Sequence, residues 1–595
     1  MNPVIRAQVK DYAKSTSIES ASLSDQFEIY SIFATLIGLL AESADANDVH
    51  LTGTEFGLDG VAILIQGEVV RTRLEAEDKL AAIKNPSIEF VFFQSKTSPS
   101  YDYGDISKFF DAITSFFDGD LRDESSQLSD LTEAMLAVYE GVVGKKNPSL
   151  KAFYIATGNY EEPRRIESLK NTFVRQMSEK NMFDRDNLDV GIVGALQLQQ
   201  WYRAATTSVE AEIEFTKAVV MPKNKKVDEA YVGYLEAKQL VKLFTLFDDK
   251  SNAIGINKSV FVDNIRDYDQ KSKINQEIKA SVLASGGDDF AFRNNGVTVV
   301  SKSIDRTGDR FHLEDYQIVN GCQTSNIIYE LIFGESKGAA EDLNLIDHIA
   351  VPFRLIGSKN DDFVASIIIG TNRQNPVKEE QFWALRPFLK SLEEYARSVE
   401  PEEIIYLERR ENQYRGQQVE RVRIIQPSSM MKALAAAIFF QPNRAARDYR
   451  GIMSEYDSKI FKDDHDVRIY HACCYLYYRI EFLWRNQRID NKYKTFRFYI
   501  ICAVGLIVTR GRDVFSMKKS EIEKVAQNII ALSKNEEALK AVVYRSSSIL
   551  DDKLKQFGTQ SQERVRDAIR SESVSNEFRE MILTQDIPEV KNYIS

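Results

Sequence analysis

Apolar positions recur at helical spacing near the start of the chain. Phe27, Ile32, Phe33, Leu36, Leu39 and Leu40 share one face, so residues 1–45 are predicted helical. The rhythm then shortens, and strands are predicted near 48–52, 60–71 and 88–96. The last differs from the others. In SIEFVFFQSKTS (87–98) both alternating sets are apolar, Ile88, Phe90 and Phe92 on one side and Val91 and Phe93 on the other. That predicts a central strand buried on both faces, ended by Ser98-Pro99-Ser100. Residues 110–150 read as acidic helix. A strand over KAFYIATGN (151–159), a helix over EEPRRIESLKNTFVRQMSEKN (161–181) and a strand running into a helix over DVGIVGALQLQQWYRAA (189–205) follow. MPKNKK (221–226) reads as exposed linker, which puts a domain boundary near 205–225. Mixed strands and helices continue to about 425. From there to 595 the pattern is apolar-faced helix throughout, with the aromatic stripe Tyr470, Tyr475, Tyr477, Tyr478, Phe482 and Trp484 expected in the core.

A chain of 595 residues exceeds one hydrophobic core, and roughly two to four domains are expected. The division predicted is 1–210, 211–425 and 426–595. The net charge of −11 excludes a non-specific nucleic-acid coat protein, which would be basic. The charge is uneven: residues 1–150 carry roughly −12 and residues 401–520 roughly +8. Cys322, Cys473, Cys474 and Cys502 form no CxxC pair and the five histidines are scattered, which argues against structural zinc and for a reducing, cytoplasmic setting. MNPVIRAQVKDYAK lacks the apolar stretch of a signal peptide. The longest apolar runs, SIFATLIGLLA and YIICAVGLIVT, are too short to cross a bilayer, so no membrane association is expected.

The candidate chemistry gathers at the end of the central strand. Residues two apart on a strand point the same way, so Gln94 and Lys96 project together. A buried strand that delivers an amide and an ammonium to one spot calls for an anion there. Asp59 opens the apolar run DGVAILI and supplies a carboxylate; Asp-Gly is equally a turn signature. Glu28 lies beside the apolar face of the first helical stretch, as a solvated glutamate or as a further acid. The order is a helix with Glu28, then Asp59, Gln94-x-Lys96, a helix around SKFFDAITSFF and the strand KAFYIATGN. Over residues 20–205 this resembles the PD-(D/E)XK nuclease core in the variant where glutamine replaces the second acid. The resemblance implies a restriction-endonuclease-like αβββαβ fold and phosphodiester hydrolysis with Mg2+ (or Mn2+). Asp59, Gln94 and the backbone carbonyl of Ser95 would hold the ion. Lys96 would orient or deprotonate the attacking water, and Glu28 would complete the shell.

Farther along stand Asn294-Asn295-Gly296, Ile318-Val319-Asn320-Gly321 with Gln323-Thr324-Ser325, Thr371-Asn372-Arg373-Gln374 and Glu408-Arg409-Arg410. In that order they resemble the AIPR family, named for abortive infection phage resistance. IVNGCQTS reads as strand, turn and helix, with Gln323 and Thr324 at a helix start that attracts anions or is simply capped. Asn-Asn-Gly reads as a hairpin turn. Asn294, Asn295, Asn320, Gln323, Thr324, Arg373, Arg409 and Arg410 are the candidate regulatory ligand contacts. In ERRENQYRGQQVERVR (408–423), Arg409, Arg410, Arg415, Arg421 and Arg423 suit phosphate as well as they suit salt bridges to neighbouring glutamates.

The expectation is therefore an α/β multidomain protein with a nuclease-like N-terminal unit, a central mixed α/β AIPR unit and an all-helical C-terminal unit. Its expected role is an anti-phage effector that cleaves DNA or RNA under control of the AIPR region. The trigger would be a phage component or a nucleotide, and homo-oligomers fit the scheme. The alternative is a non-catalytic sensor with a degenerate site, favoured by the acidic first 150 residues.

Overall fold

Two helices, Pro3–Thr16 and Leu23–Phe33, occupy the first helical stretch. Asn2 and Ser22 cap them, their side chains accepting from the backbone of Val4 (2.9 Å) and Asp25 (3.1 Å). The second runs on as wider π-turns over Ala34–Leu39. There Gly38 admits a close neighbour: a Cβ on it would lie 1.9 Å from the Trp201 carbonyl oxygen. The computed structural model describes residues 1–39, 44–53, 57–83, 86–122, 124–142, 147–183, 187–247, 253–261, 289–333, 349–371, 386–409, 413–446, 452, 456, 459–556, 568–584 and 587–593.

The first sheet contains β1 (Gly60–Ile65), β2 (Glu68–Val70), β3 (Ile88–Lys96), β4 (Ser149–Ala156) and β5 (Leu188–Val193) in the order β2-β1-β3-β4-β5. β1 is antiparallel to both neighbours, and β3, β4 and β5 run parallel. Two expectations are corrected here. Residues 48–52 are not a strand: Asp45 caps a single helical turn over Ala46–Val49, and His50 makes only an isolated bridge to Gly60. The run 60–71 is a hairpin, because Gln66 and Gly67 take positive φ (52° and 71°) and reverse the chain. Helix Arg73–Ala82 follows it.

β3 is buried on both faces, as its two apolar sets require. Phe90 and Phe92 pack against helices Tyr103–Asp118, Ser126–Gly141 and Arg164–Glu179. Val91 and Phe93 pack against the two N-terminal helices and helix Ala195–Thr206. Each buried Phe contributes roughly 1.5–3 kcal/mol, so β3 is the spine of a three-layer α/β/α unit.

The second sheet draws on β6 (Glu210–Glu214), β7 (Val219–Val220), β8 (Glu229–Glu236), β11 (Val297–Thr307), β12 (Arg310–Asn320) and β13 (Ala350–Gly357). The short hairpin of β9 (Thr245–Phe247) and β10 (Ala253–Ile256) stands apart from it. The order is β6-β12-β11-β13-β8-β7, with only β11 and β13 parallel. MPKNKK is therefore not an interdomain linker; it joins β7 to β8. The chain passes from one sheet to the other between Thr206 and Glu210.

Among the described residues from Pro387 on, the chain is helical around one core, apart from a short parallel pair, Tyr406–Leu407 with Ile424–Ile425. Helix Arg497–Thr509 is apolar all round and lies inside it. The expected aromatic stripe is in this core: Tyr470, Tyr475, Tyr478 and Trp484 are buried, with Tyr477 and Phe482 packed against them. The core begins earlier than 426, because Phe388, Leu389 and Leu392 of helix Pro387–Ser398 belong to it. Among the described residues, no helix is long and apolar enough to cross a membrane.

The helical unit grips the first unit through charge. Asp45 pairs with Arg485. Asp48 lies 3.0 Å from Arg71 of its own unit, and 2.8 and 3.8 Å from Lys494 and Arg497 of the helical unit. Arg570 donates to Thr72 Oγ1 at 2.9 Å and lies 3.8 Å from Glu75.

Candidate functional site

Strand register assembles the predicted residues. Val61 stands opposite Phe92 and Gly60 opposite Phe93, so Asp59 arrives level with Gln94. Asp59 N donates to Phe93 O at 2.8 Å, and Leu51 N donates to Asp59 O at 2.9 Å. The carboxylate is fixed as firmly: Asp59 Oδ2 accepts from Gln94 Nε2 at 2.9 Å and from Ser95 N at 2.6 Å. Gln94 and Ser95 are both buried, and Gln94 Oε1 and Ser95 Oγ have no hydrogen-bond partner. Burial, and after it the negative charge of Glu28, pushes the Asp59 carboxyl up to about 7. The Ser95 N–H, the Lys96 ammonium and the Gln94 amide pull the other way. Lys96 stands at the rim, 37 % exposed, with its Nζ 4.0 Å from Asp105 Oδ2.

Glu28 reaches this end of the sheet from helix Leu23–Phe33. Its Oε2 lies 2.7 Å from His50 Nε2 and its Oε1 accepts from Ser24 Oγ at 2.9 Å. Asp25, one helical turn earlier, completes a trio whose ligand atoms lie within 4.8 Å of one another. Neither His50 nor Asp25 is among the residues the sequence pattern singles out. The spacing of Asp25 and Glu28 on one helix face was visible, but His50 sits in a stretch misassigned as strand and carried no signal.

The central motifs have a different geometry. Asn294-Asn295-Gly296 is not a hairpin turn; it links the single-turn helix Phe290–Arg293 to β11. Asn294 Oδ1 accepts from Gly296 N at 2.7 Å and from Thr324 Oγ1 at 2.9 Å. Gly321 (φ 103°) makes the turn between β12 and helix Cys322–Phe333, and a Cβ there would meet Gly296 O at 2.7 Å. The two motifs are thus packed on each other, with Asn294 and Thr324 bonded inside the contact. Asn295 and Gln323 are exposed and Asn320 is partly buried. Arg373 and Arg410 lie outside the described residues.

Among the described residues of the arginine segment, Arg409, Arg415, Arg421 and Arg423 are engaged in structural ties. Arg409 is buried and its Nε donates to Glu393 Oε2 at 2.6 Å. Arg415 donates to Ser259 O at 3.2 Å, Arg421 lies 4.8 Å over the Phe33 ring, and Arg423 donates to the carbonyls of Pro401, Glu402 and Ile404. Arg409→Ala would remove the partner of Glu393 Oε2 and leave Arg397 and Gln413 on Oε1, at a cost of about 1–3 kcal/mol. Denaturant unfolding should show that loss, and in a salt titration with a nucleic-acid probe the variant should behave as the parent does. A flattened salt dependence at unchanged stability would restore the phosphate role.

Comparison with known proteins bears on the region beyond this first site. No curated protein and no solved structure matches the chain. The family model described as AIPR protein matches residues 261–558, half of the sequence. That span contains the Asn294–Thr324 contact, β11 to β13 and most of the helical core, and on this match the chain belongs to the AIPR family.

Proposed function

We propose that the first unit is a metal-dependent nuclease of the restriction-endonuclease-like class, working as the effector of an AIPR protein. Family membership points the chain toward antiviral defence by abortive infection. The observation that carries the nuclease reading is the convergence of Asp59, Gln94 and Ser95 within hydrogen-bond distance at the open end of a buried strand, with Lys96 next along. The sheet order, an antiparallel hairpin followed by parallel β3 and β4, supports an αβββαβ core, to which β5 adds one strand. The units divide near residue 210 and, for the helical unit, near 386.

The residues present fit a hard divalent cation. The Asp59 carboxylate, Gln94 Oε1 and the Ser95 carbonyl are oxygen donors of the kind Mg2+ prefers, and Oε1 is a buried acceptor with nothing to accept. When bound, such an ion supplies charge to polarise a phosphodiester and to acidify water. The chain supplies the rest. The Ser95 N–H fixes the Asp59 carboxylate, His50 and Ser24 fix Glu28 beside it, and Lys96 offers an ammonium to charge developing on the phosphate. Glutamine gives the ion no charge compensation, so a weak resting site is expected.

Incubation of plasmid DNA and of a folded RNA with Mg2+ or Mn2+ tests this, with EDTA as control. Cleavage of either nucleic acid that stops with EDTA is expected; intact substrates under all conditions would sink the reading. Cation affinity should also follow pH. The Asp59 proton must leave for a cation to bind, so affinity should rise about tenfold per pH unit up to about 7 and then level off. A flat profile across that range would place the cation elsewhere.

A further inference from the structure

The helical unit contains a cavity of about 1320 Å3, partly open to solvent, to which the first unit contributes no lining residue. Four rings reach it from four separate parts of the chain. His465 stacks on Phe515 with centroids 4.4 Å and planes 17° apart, and Tyr456 stacks on Phe439 at 4.1 Å and 25°. Phe515 and Phe439 are 5.9 Å apart, so the rings form one continuous row. Phe439 and Phe515 are only partly buried. Two neighbouring phenylalanines left half open leave apolar area in water, and a flat ring system laid against them would cover it.

The polar lining narrows the kind of molecule. His465 is held in one tautomer. The fully buried Tyr470 hydroxyl accepts from Phe461 N at 3.1 Å, so its own proton goes to His465 Nδ1 at 2.8 Å and the imidazole carries its proton on Nε2. Burial, aided by Lys462 against the pull of Asp464, holds this histidine below its usual pKa, so the ring is a neutral donor at pH 7. Lys459, Lys462 and Lys519 line the same cavity, are exposed and form no ion pair with a described residue. Arg468 differs, because Asp466 at 2.7 Å and Glu523 at 2.6 Å engage its guanidinium. Asp464 and Asp513 also line the cavity, so its acids equal its cations in number. That balance disfavours a long polyanion, which would be repelled as much as attracted. It suits a small molecule with one anionic end and several neutral donors. A heteroaromatic ring for the phenylalanines, a phosphate for the lysines, and hydroxyl or amino donors for the two aspartates together describe a nucleotide.

We propose that this cavity binds a free nucleoside phosphate, with its base against Phe439 and Phe515 and its phosphate among the lysines. The site lies wholly in the helical unit, so the inference stands apart from the nuclease reading.

The test uses the full-length protein and titration calorimetry. The probes are AMP, GMP, CMP and UMP, with the four nucleosides and a short single-stranded RNA for comparison. At least one mononucleotide should bind the parent, and more tightly than the RNA. Lys459→Gln with Lys462→Gln should weaken it about tenfold and flatten its salt dependence, while binding of the matching nucleoside stays unchanged. Both lysines are exposed, so this variant should keep the parent melting temperature. Phe515→Leu should weaken nucleotide and nucleoside alike, about tenfold, the scale of a lost base–aromatic stack. Asp59→Ala should bind the nucleotide as the parent does, which separates this site from the first. Four mononucleotides without binding to the parent would overturn the proposal. So would unchanged nucleotide affinity in the lysine double variant. Tighter binding of the RNA than of any mononucleotide would overturn it too, since the groove would then serve a strand.

Discussion

Asp59→Ala should cut metal-dependent cleavage at least about a hundredfold, the scale on which a metal ligand or acid–base group is lost. The reason is geometric. Among the described residues, Asp59 is the carboxylate that both Gln94 and the Ser95 backbone address, while Glu28 beside it is held by His50 and Ser24 instead. Lys96→Ala should fall by a similar factor, because the ammonium at the rim would have no substitute there. Stability should move in the opposite direction. With its proton affinity raised to about 7, the folded protein holds a proton on Asp59 that the unfolded chain releases near pH 4. The metal-free fold therefore loses stability as pH rises between about 4 and 7, and carries the full deficit above 7. Asp59→Asn should remove that slope: equal melting temperature to the parent at pH 4, higher at pH 8, and no cleavage at either. Cleavage at the parent rate in Asp59→Ala would end the nuclease reading of this site.

Asp48→Asn should be the most damaging single substitution for the docking of the helical unit. Burial alone would raise the Asp48 carboxyl. Arg71, then Lys494 and Arg497, outweigh it and hold the group well below the usual carboxylate range. Removing the charge leaves three cations facing one another, with Arg497 also committed to Glu481. Breaking a largely buried cluster of this kind costs roughly 3 kcal/mol. For a depressed carboxyl the contribution is complete above about pH 4 and disappears only as pH falls through the lowered folded value. The parent protein should thus keep its units docked well into mild acid. Asp48→Asn should show early unfolding and protease cleavage between the units already at pH 7. Indistinguishable denaturation curves at pH 7 would mean that the cluster contributes nothing net.

The chain announced its first site because strand register is a short-range property. Phe90 to Lys96 alternate with period two, and that alone aligned Gln94 with Lys96. It could not bring in Glu28 with His50, whose contact spans 22 positions and depends on where a helix lands. The hairpin at Gln66-Gly67 was missed because β1 and β2 read as one continuous apolar run. The arginine segment misled most. Charge density is legible in sequence, but whether Arg409 faces solvent or Glu393 is decided by residues 16 positions away.

The grip on Asp45 also sets a schedule. Arg485 comes 440 positions after Asp45. At about 5–20 residues per second, a ribosome makes that interval in roughly 20–90 s. For the later part of it, once β5 and helix Ala195–Thr206 are made, the first unit is complete while its clamp does not yet exist. The helical turn Ala46–Val49, with Asp45 before it and Asp48 within it, lacks its partners on one side until Arg485, Lys494 and Arg497 emerge. A nascent chain, or one cut short before residue 485, therefore carries Asp59 and Lys96 while Asp45 and Asp48 lack their partners from the helical unit. On the nuclease reading proposed above, translation itself acts as a timer that delays completion of the effector.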